Sequence, residues 1–226
     1  MLKTVYCFLL IFMTPKQDTC LSNMSQLNNM NLLCLGDSYT IGESLPITES
    51  FPYQAIKLLR KEGFNFQAPE IIAKTGWTTD ELQAAINNHQ FLPTYDFVTL
   101  LIGVNNQYRG RSVEEYKTEF ESLLKQAIKF TGNKAEHVIV LSIPDWGVTP
   151  FANGRDRKKI VDEIDQYNMA NKMISQQYNV HYIDITPGTR KASTDQSLLA
   201  ADGLHPSAKE YANWAKSISN LIKQLL

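Results

Sequence analysis

The run NLLCLG at 31–36 is apolar and strand-like, and it gives way to Asp37-Ser38, which puts a small hydroxyl residue where the core should stop. A serine in that place either caps the following turn or is held at a sheet edge as a nucleophile. The second reading needs a base. Near the other end of the chain, Ala201-Asp202-Gly203-Leu204-His205-Pro206 sets a carboxylate three residues before an imidazole, just ahead of the last helical stretch. On one turn, Asp202 can accept a hydrogen bond from Nδ1 of His205 and leave Nε2 free to take the proton of Ser38. Such a serine attacks a carbonyl, and the oxyanion that forms needs donors.

Two donors are available at the ends of other strand-like runs. Gly76, in Lys74-Thr75-Gly76-Trp77-Thr78, can bring a backbone N–H close to a substrate with no side chain in the way. Asn105, in Ile102-Gly103-Val104-Asn105-Asn106, offers a neutral amide that stays in place as charge develops. Each has a plain alternative as a turn residue. Substrate walls are expected from Trp77, from the Tyr108-Arg109-Gly110-Arg111 loop and from Pro144-Asp145-Trp146, all just after strand ends. Arg109 or Arg111 is suited to an anionic substrate group such as phosphate or carboxylate.

The elements that must position these residues alternate regularly from Asn31 onward. NLLCLG, EIIAKTG, DFVTLLIG, HVIVLSIP and VHYIDIT are short apolar runs bounded by Gly, Pro or polar residues, as parallel strands buried on both faces require. Amphipathic stretches at 51–62, 78–88, 112–130, 156–177 and 207–225 separate them and close the chain. Thr78-Thr79-Asp80-Glu81 and Ser112-Val113-Glu114-Glu115 read as capped helix starts with early acids. The alternation predicts one α/β domain with helices on both faces of a five-stranded parallel sheet. Sheets of this kind bind ligands at the carboxyl ends of their strands, where Ser38, Gly76 and Asn105 all fall.

Composition narrows the function classes. Lys and Arg total 22 against 23 Asp and Glu, with no basic stripe, which excludes a nucleic-acid partner read through phosphate contacts. Cys7, Cys20 and Cys34 make no disulfide framework, and His89, His137 and His181 have no partner at metal-ligand spacing, so no metal site is expected. Residues 1–29 stand apart. Lys3 followed by the apolar stretch 4–13 has the layout of a signal peptide and is too short for a comfortable bilayer span. No small-x-small cleavage site follows it, and Met24 and Met30 stand just before the first strand as alternative starts. Secretion and a cytoplasmic location are therefore both open, as is the oligomeric state, and residues 30–226 form the expected domain.

Taken together, these blocks resemble the SGNH or GDSL hydrolase family along nearly the whole length from Asn31. Gly36-Asp37-Ser38 is similar to its first block, Gly76 to the glycine of the second, Gly103-Val104-Asn105 to the third and Asp202-Gly203-Leu204-His205 to the last. Two departures are visible: Asn106 stands where the third block usually has Asp, and Tyr39-Thr40 replaces the usual Leu-Ser. The resemblance implies a flavodoxin-like three-layer α/β/α fold, a triad of Ser38, His205 and Asp202, and an oxyanion hole of Ser38, Gly76 and Asn105. It also implies an esterase of the lysophospholipase-like kind, acting on a lipid or small acyl ester without a metal or organic cofactor. Two other functions remain open, a carbohydrate O-deacetylase on the same fold and a catalytically inactive binding domain.

Overall fold

The structure, a computed structural model, describes Met1 and residues 29–226. The leader or extension expected at 1–29, with Cys7, Cys20 and Met24, falls almost wholly outside the described residues.

Five parallel strands form one sheet: β1 (Leu32–Asp37), β2 (Glu70–Lys74), β3 (Phe97–Leu101), β4 (Val138–Leu141) and β5 (His181–Ile183), in the order β2-β1-β3-β4-β5. β1 lies between β2, with Leu33 beside Glu70, and β3, with Leu32 beside Phe97. The chain therefore leaves β1 in one direction and later leaves β3 in the other. The gap between their carboxyl ends is the switch point at which sheets of this order hold ligands.

The central strands are the apolar runs with no alternation, and β1, β3 and β4 are buried at every position. β2 and β5 are only half-buried, because they are the sheet edges and one flank of each is open. The expectation of burial on both faces thus holds for the middle of the sheet alone.

Helices cover both faces. α1 (Ser38–Ile41) is a single turn after β1, and α2 (Phe51–Lys61) and α8 (Ala208–Leu225) pack together. α8 brings Tyr211 and Trp214, whose ring centroids are 5.0 Å apart, onto Phe51, whose centroid is 6.0 Å from that of Trp214. On the other side α5 (Val113–Phe130) packs against α3 (Thr79–Asn87) and α6 (Arg157–Gln177). Both expected caps form: Glu81 Oε2 accepts from the Thr78 N–H at 2.9 Å, and Ser112 Oγ accepts from the Glu115 N–H at 3.1 Å. α1, α4 (Val104–Tyr108) and α7 (Thr186–Arg190) are not anticipated from periodicity, since each is shorter than one and a half turns. The first two begin where β1 and β3 end and carry Ser38 and Asn105 to the rim. Among the described residues, no helix is long and apolar enough to cross a membrane.

Candidate active site

Ser38 is the first residue of α1, directly after β1, and its turn is set by its neighbours. Asp37 caps the helix through Oδ1, which accepts from the Tyr39 N–H at 3.0 Å. Gly36 is needed for the close approach, because a Cβ there would lie 2.1 Å from Thr40 Oγ1 and 2.5 Å from the Leu101 carbonyl. Burial pushes the Asp37 carboxyl up to about 7, against the hydrogen bond from Tyr39, and its Oδ2 has no hydrogen-bond partner among the described residues.

Asp202 and His205 sit on a tight turn before α8, closed by the Ala200 N–H on the His205 carbonyl at 2.8 Å. Oδ1 of Asp202 accepts the N–H groups of Leu204 and His205, each at 3.0 Å. Its Oδ2 lies 2.6 Å from His205 Nδ1 and 2.6 Å from Ser44 Oγ. Partial burial alone would raise the Asp202 carboxyl, but the hydrogen bonds from Ser44, His205 and the two N–H groups outweigh it and hold the group at about 2. A carboxylate on Nδ1 requires the proton there, so Nε2 of the neutral ring presents its lone pair. That nitrogen is 2.9 Å from Ser38 Oγ. Three residues spread from 38 to 205 thus form one continuous hydrogen-bonded chain.

The other expected rim residues divide. Asn105 lines the same cleft as Ser38 and His205, and its Nδ2 donates to the Trp77 carbonyl at 3.0 Å, which fixes the amide and leaves its second N–H available. Gly103 before it has φ 130°, and a Cβ there would meet the Tyr116 ring at 2.6 Å. Gly76 has φ 84°, and a Cβ there would meet nothing nearer than Arg109 at 3.8 Å, so its left-handed turn rather than crowding calls for glycine. Asn106, in place of the family's acid, is fully buried. Its Oδ1 accepts from the Thr79 N–H at 3.1 Å and its Nδ2 donates to Thr79 Oγ1 at 2.6 Å, tying α4 to the start of α3.

The cleft has a volume of about 140 Å³ and an aromatic wall. Tyr108 and Trp146 are there as expected, joined by Phe151, Val104 and Leu204, which the sequence reading does not single out. Trp146 is held by its Nε1 donating to Gln107 Oε1 at 2.7 Å. Tyr108 and Phe151 are each 45% exposed and form the mouth. Trp77, Arg109 and Arg111 do not line this cleft. Trp77 packs its side chain on the edge of the core and contributes its carbonyl. Arg109 pairs with Glu81 at 3.1 Å and donates to the Gly76 carbonyl at 2.6 Å, while Arg111 pairs with Asp80 at 2.7 Å. In this structure their charges are met by acids of α3.

A parallel sheet with a serine, imidazole and carboxylate in series at its carboxyl edge defines the class of α/β serine hydrolases. Over residues 34–212 the chain matches the GDSL-like lipase/acylhydrolase family, and it belongs to that family. It is a carboxylic ester hydrolase of the GDSL type. No curated protein matches it in sequence. Among solved structures it is similar to TesA (19% identity, TM-score 0.68, covering 87% of this chain and 100% of the other). It is also similar to the acetylxylan esterase Axe2 from Geobacillus stearothermophilus (19%, TM-score 0.66, 85% and 94%). A third is a lipase/acylhydrolase from Enterococcus faecalis (21%, TM-score 0.66, 87% and 97%). At these identities the likeness is one of fold.

Proposed function

We propose that Ser38 is the nucleophile of this esterase, His205 its general base and acid, and Asp202 the group that orients the imidazole and stabilises its charged form. The observation that carries this reading is the 2.9 Å contact of Ser38 Oγ with His205 Nε2 in line with the 2.6 Å contact of His205 Nδ1 with Asp202. Nε2 takes the hydroxyl proton as Oγ bonds to the ester carbonyl carbon. The oxyanion rests on the N–H groups of Ser38 and Gly76 and on Nδ2 of Asn105. The C–O bond to the alcohol then breaks, and His205 returns the proton to the departing oxygen. Water repeats the sequence on the acyl-enzyme, giving the acid and restoring Ser38.

The substrate is an ester with an apolar acyl group, from a lipid or a small molecule. Tyr108, Trp146, Phe151, Val104 and Leu204 support this, since five apolar or aromatic side chains flank Ser38 and none carries a charge. A second reading, removal of acetyl groups from carbohydrate, draws support from the exposed faces of Tyr108 and Phe151, which suit stacking on a sugar ring. Nitrophenyl esters of increasing chain length, assayed beside acetylated sugars, separate the two. Rates that rise from acetate to medium chains support the first. Fastest turnover on acetylated sugar would replace it by the second. A Ser38→Ala protein with undiminished rate would remove both.

A further inference from the structure

The loop after α1 has two side chains that reach different rim segments. Thr75 Oγ1, next to Gly76, donates to Glu43 Oε2, and the adjacent Ser44 donates its Oγ hydrogen to Asp202 Oδ2 at 2.6 Å. Ser44 holds φ 67°, one of three non-glycine residues with positive φ among the described residues. That conformation is unfavourable for a serine, and loops more readily place glycine or asparagine there. The backbone of the loop is fixed without the side chain, by Glu43 N–H on the Ser38 carbonyl at 3.0 Å and Leu45 N–H on the Gly42 carbonyl at 3.0 Å. The Ser44 hydroxyl is thus not required to shape its own loop.

We propose that Ser44 is a positioning residue for ester hydrolysis, its hydroxyl holding Oδ2 of Asp202 in the orientation that meets Nδ1 of His205. This rests on the reading of Ser38, His205 and Asp202 as the reacting series. Oδ1 of Asp202 is tied to its own turn by two N–H groups, which leaves rotation of the carboxylate to be fixed at Oδ2. The Asp202 side chain is 29% exposed, so without Ser44 this oxygen would share its bonding between the imidazole and water.

The plateau rate falls because the imidazole is less well oriented. Ser44→Gly is the informative variant, since glycine suits φ 67° and the melting temperature stays at or above that of the natural protein. Ser44→Ala removes the same hydroxyl without relieving the backbone. With a nitrophenyl ester, both variants should lose about 5- to 20-fold in kcat at unchanged KM, less than the roughly 10- to 100-fold of a fully desolvated hydrogen bond to a charged group because water reaches Oδ2. In an Asp202→Asn background the further loss on Ser44→Gly should vanish, because the effect runs through that carboxylate.

A kcat unchanged in Ser44→Gly would overturn the proposal, as would a loss that persists undiminished in Asp202→Asn. Ser38→Ala, run alongside, separates the two levels. If it is inactive while Ser44→Gly equals the natural protein, only the role of Ser44 is lost. If Ser38→Ala retains full turnover, the reading of the site itself fails and the role of Ser44 fails with it.

Discussion

The imidazole of His205 lies against the ring of Tyr39, with centroids 4.9 Å apart and planes tilted by 53°. Tyr39 follows Ser38 directly, so the turn that presents Ser38 also supplies the surface on which the His205 imidazole packs. Tyr39 is 3% exposed. Tyr39→Ala should therefore cost about 3 to 5 kcal/mol of stability and lower turnover per folded molecule, because the cavity frees the imidazole. Tyr39→Phe keeps the ring and should stay within a few-fold of natural turnover. Thermal melts and steady-state rates on the two variants check this, and equal turnover in both would detach Tyr39 from the placement of His205.

Asn105 and Asn106 are neighbours in different settings. In the proposed mechanism the Asn105 amide acts on charge that exists only in the transition state, so removing it should lower kcat by about 10²- to 10³-fold with little change in KM. Asn106→Ala leaves the buried Thr79 N–H without its acceptor. That variant should lose about 1 to 3 kcal/mol of stability while the folded fraction keeps near-natural turnover. Kinetics and melting curves on both proteins decide it, and similar small losses of turnover in both would take Asn105 out of the oxyanion site.

The pH dependence of stability carries opposite signs from two carboxylates. Asp202 is held down at about 2, so its contribution is complete above the usual carboxylate range and is lost as pH falls from about 4 through 2. Asp37 is raised to about 7 by burial, so the native state binds a proton that the unfolded chain has already released. Stability from this group falls as pH rises from about 4 through 7, by on the order of a few kcal/mol. Asp37→Asn keeps an oxygen for the Tyr39 N–H and removes the titration. Its buried amide adds a fixed cost, so the slope is what matters. Between pH 5 and 8 the natural protein should lose stability relative to Asp37→Asn, and parallel curves from denaturant titrations would contradict the assignment.

Much of this arrangement is legible in the sequence, for physical reasons that also mark where legibility stops. Buried parallel strands are short apolar runs without alternation, so β1, β3 and β4 announce themselves, and a ligand-binding rim follows from parallel order. Ser38 and Asn105 are recognisable because each follows such a run, and Asp202 and His205 because a carboxylate three residues before an imidazole stands just ahead of the last helical stretch. Ser44 is not, since its partner Asp202 lies 158 residues away and nothing local marks a serine at positive φ. The ion pairs of Arg109 and Arg111 are hidden for the related reason that Glu81 and Asp80, their partners, sit on α3, about 30 residues earlier. Phe151 belongs to a loop of two 3-10 turns after β4, whose path over the cleft no periodicity encodes.

On the proposed mechanism this setting makes Ser38 alone nucleophilic. A fluorophosphonate that bonds covalently to an activated serine oxygen tests it without assuming a substrate. The folded protein is treated near neutral pH, digested, and the adduct mapped by mass spectrometry, with His205→Ala treated in parallel. A single adduct on Ser38, formed far more slowly in His205→Ala, is the predicted result. Labelling at another serine, or none in a folded sample, would contradict the account.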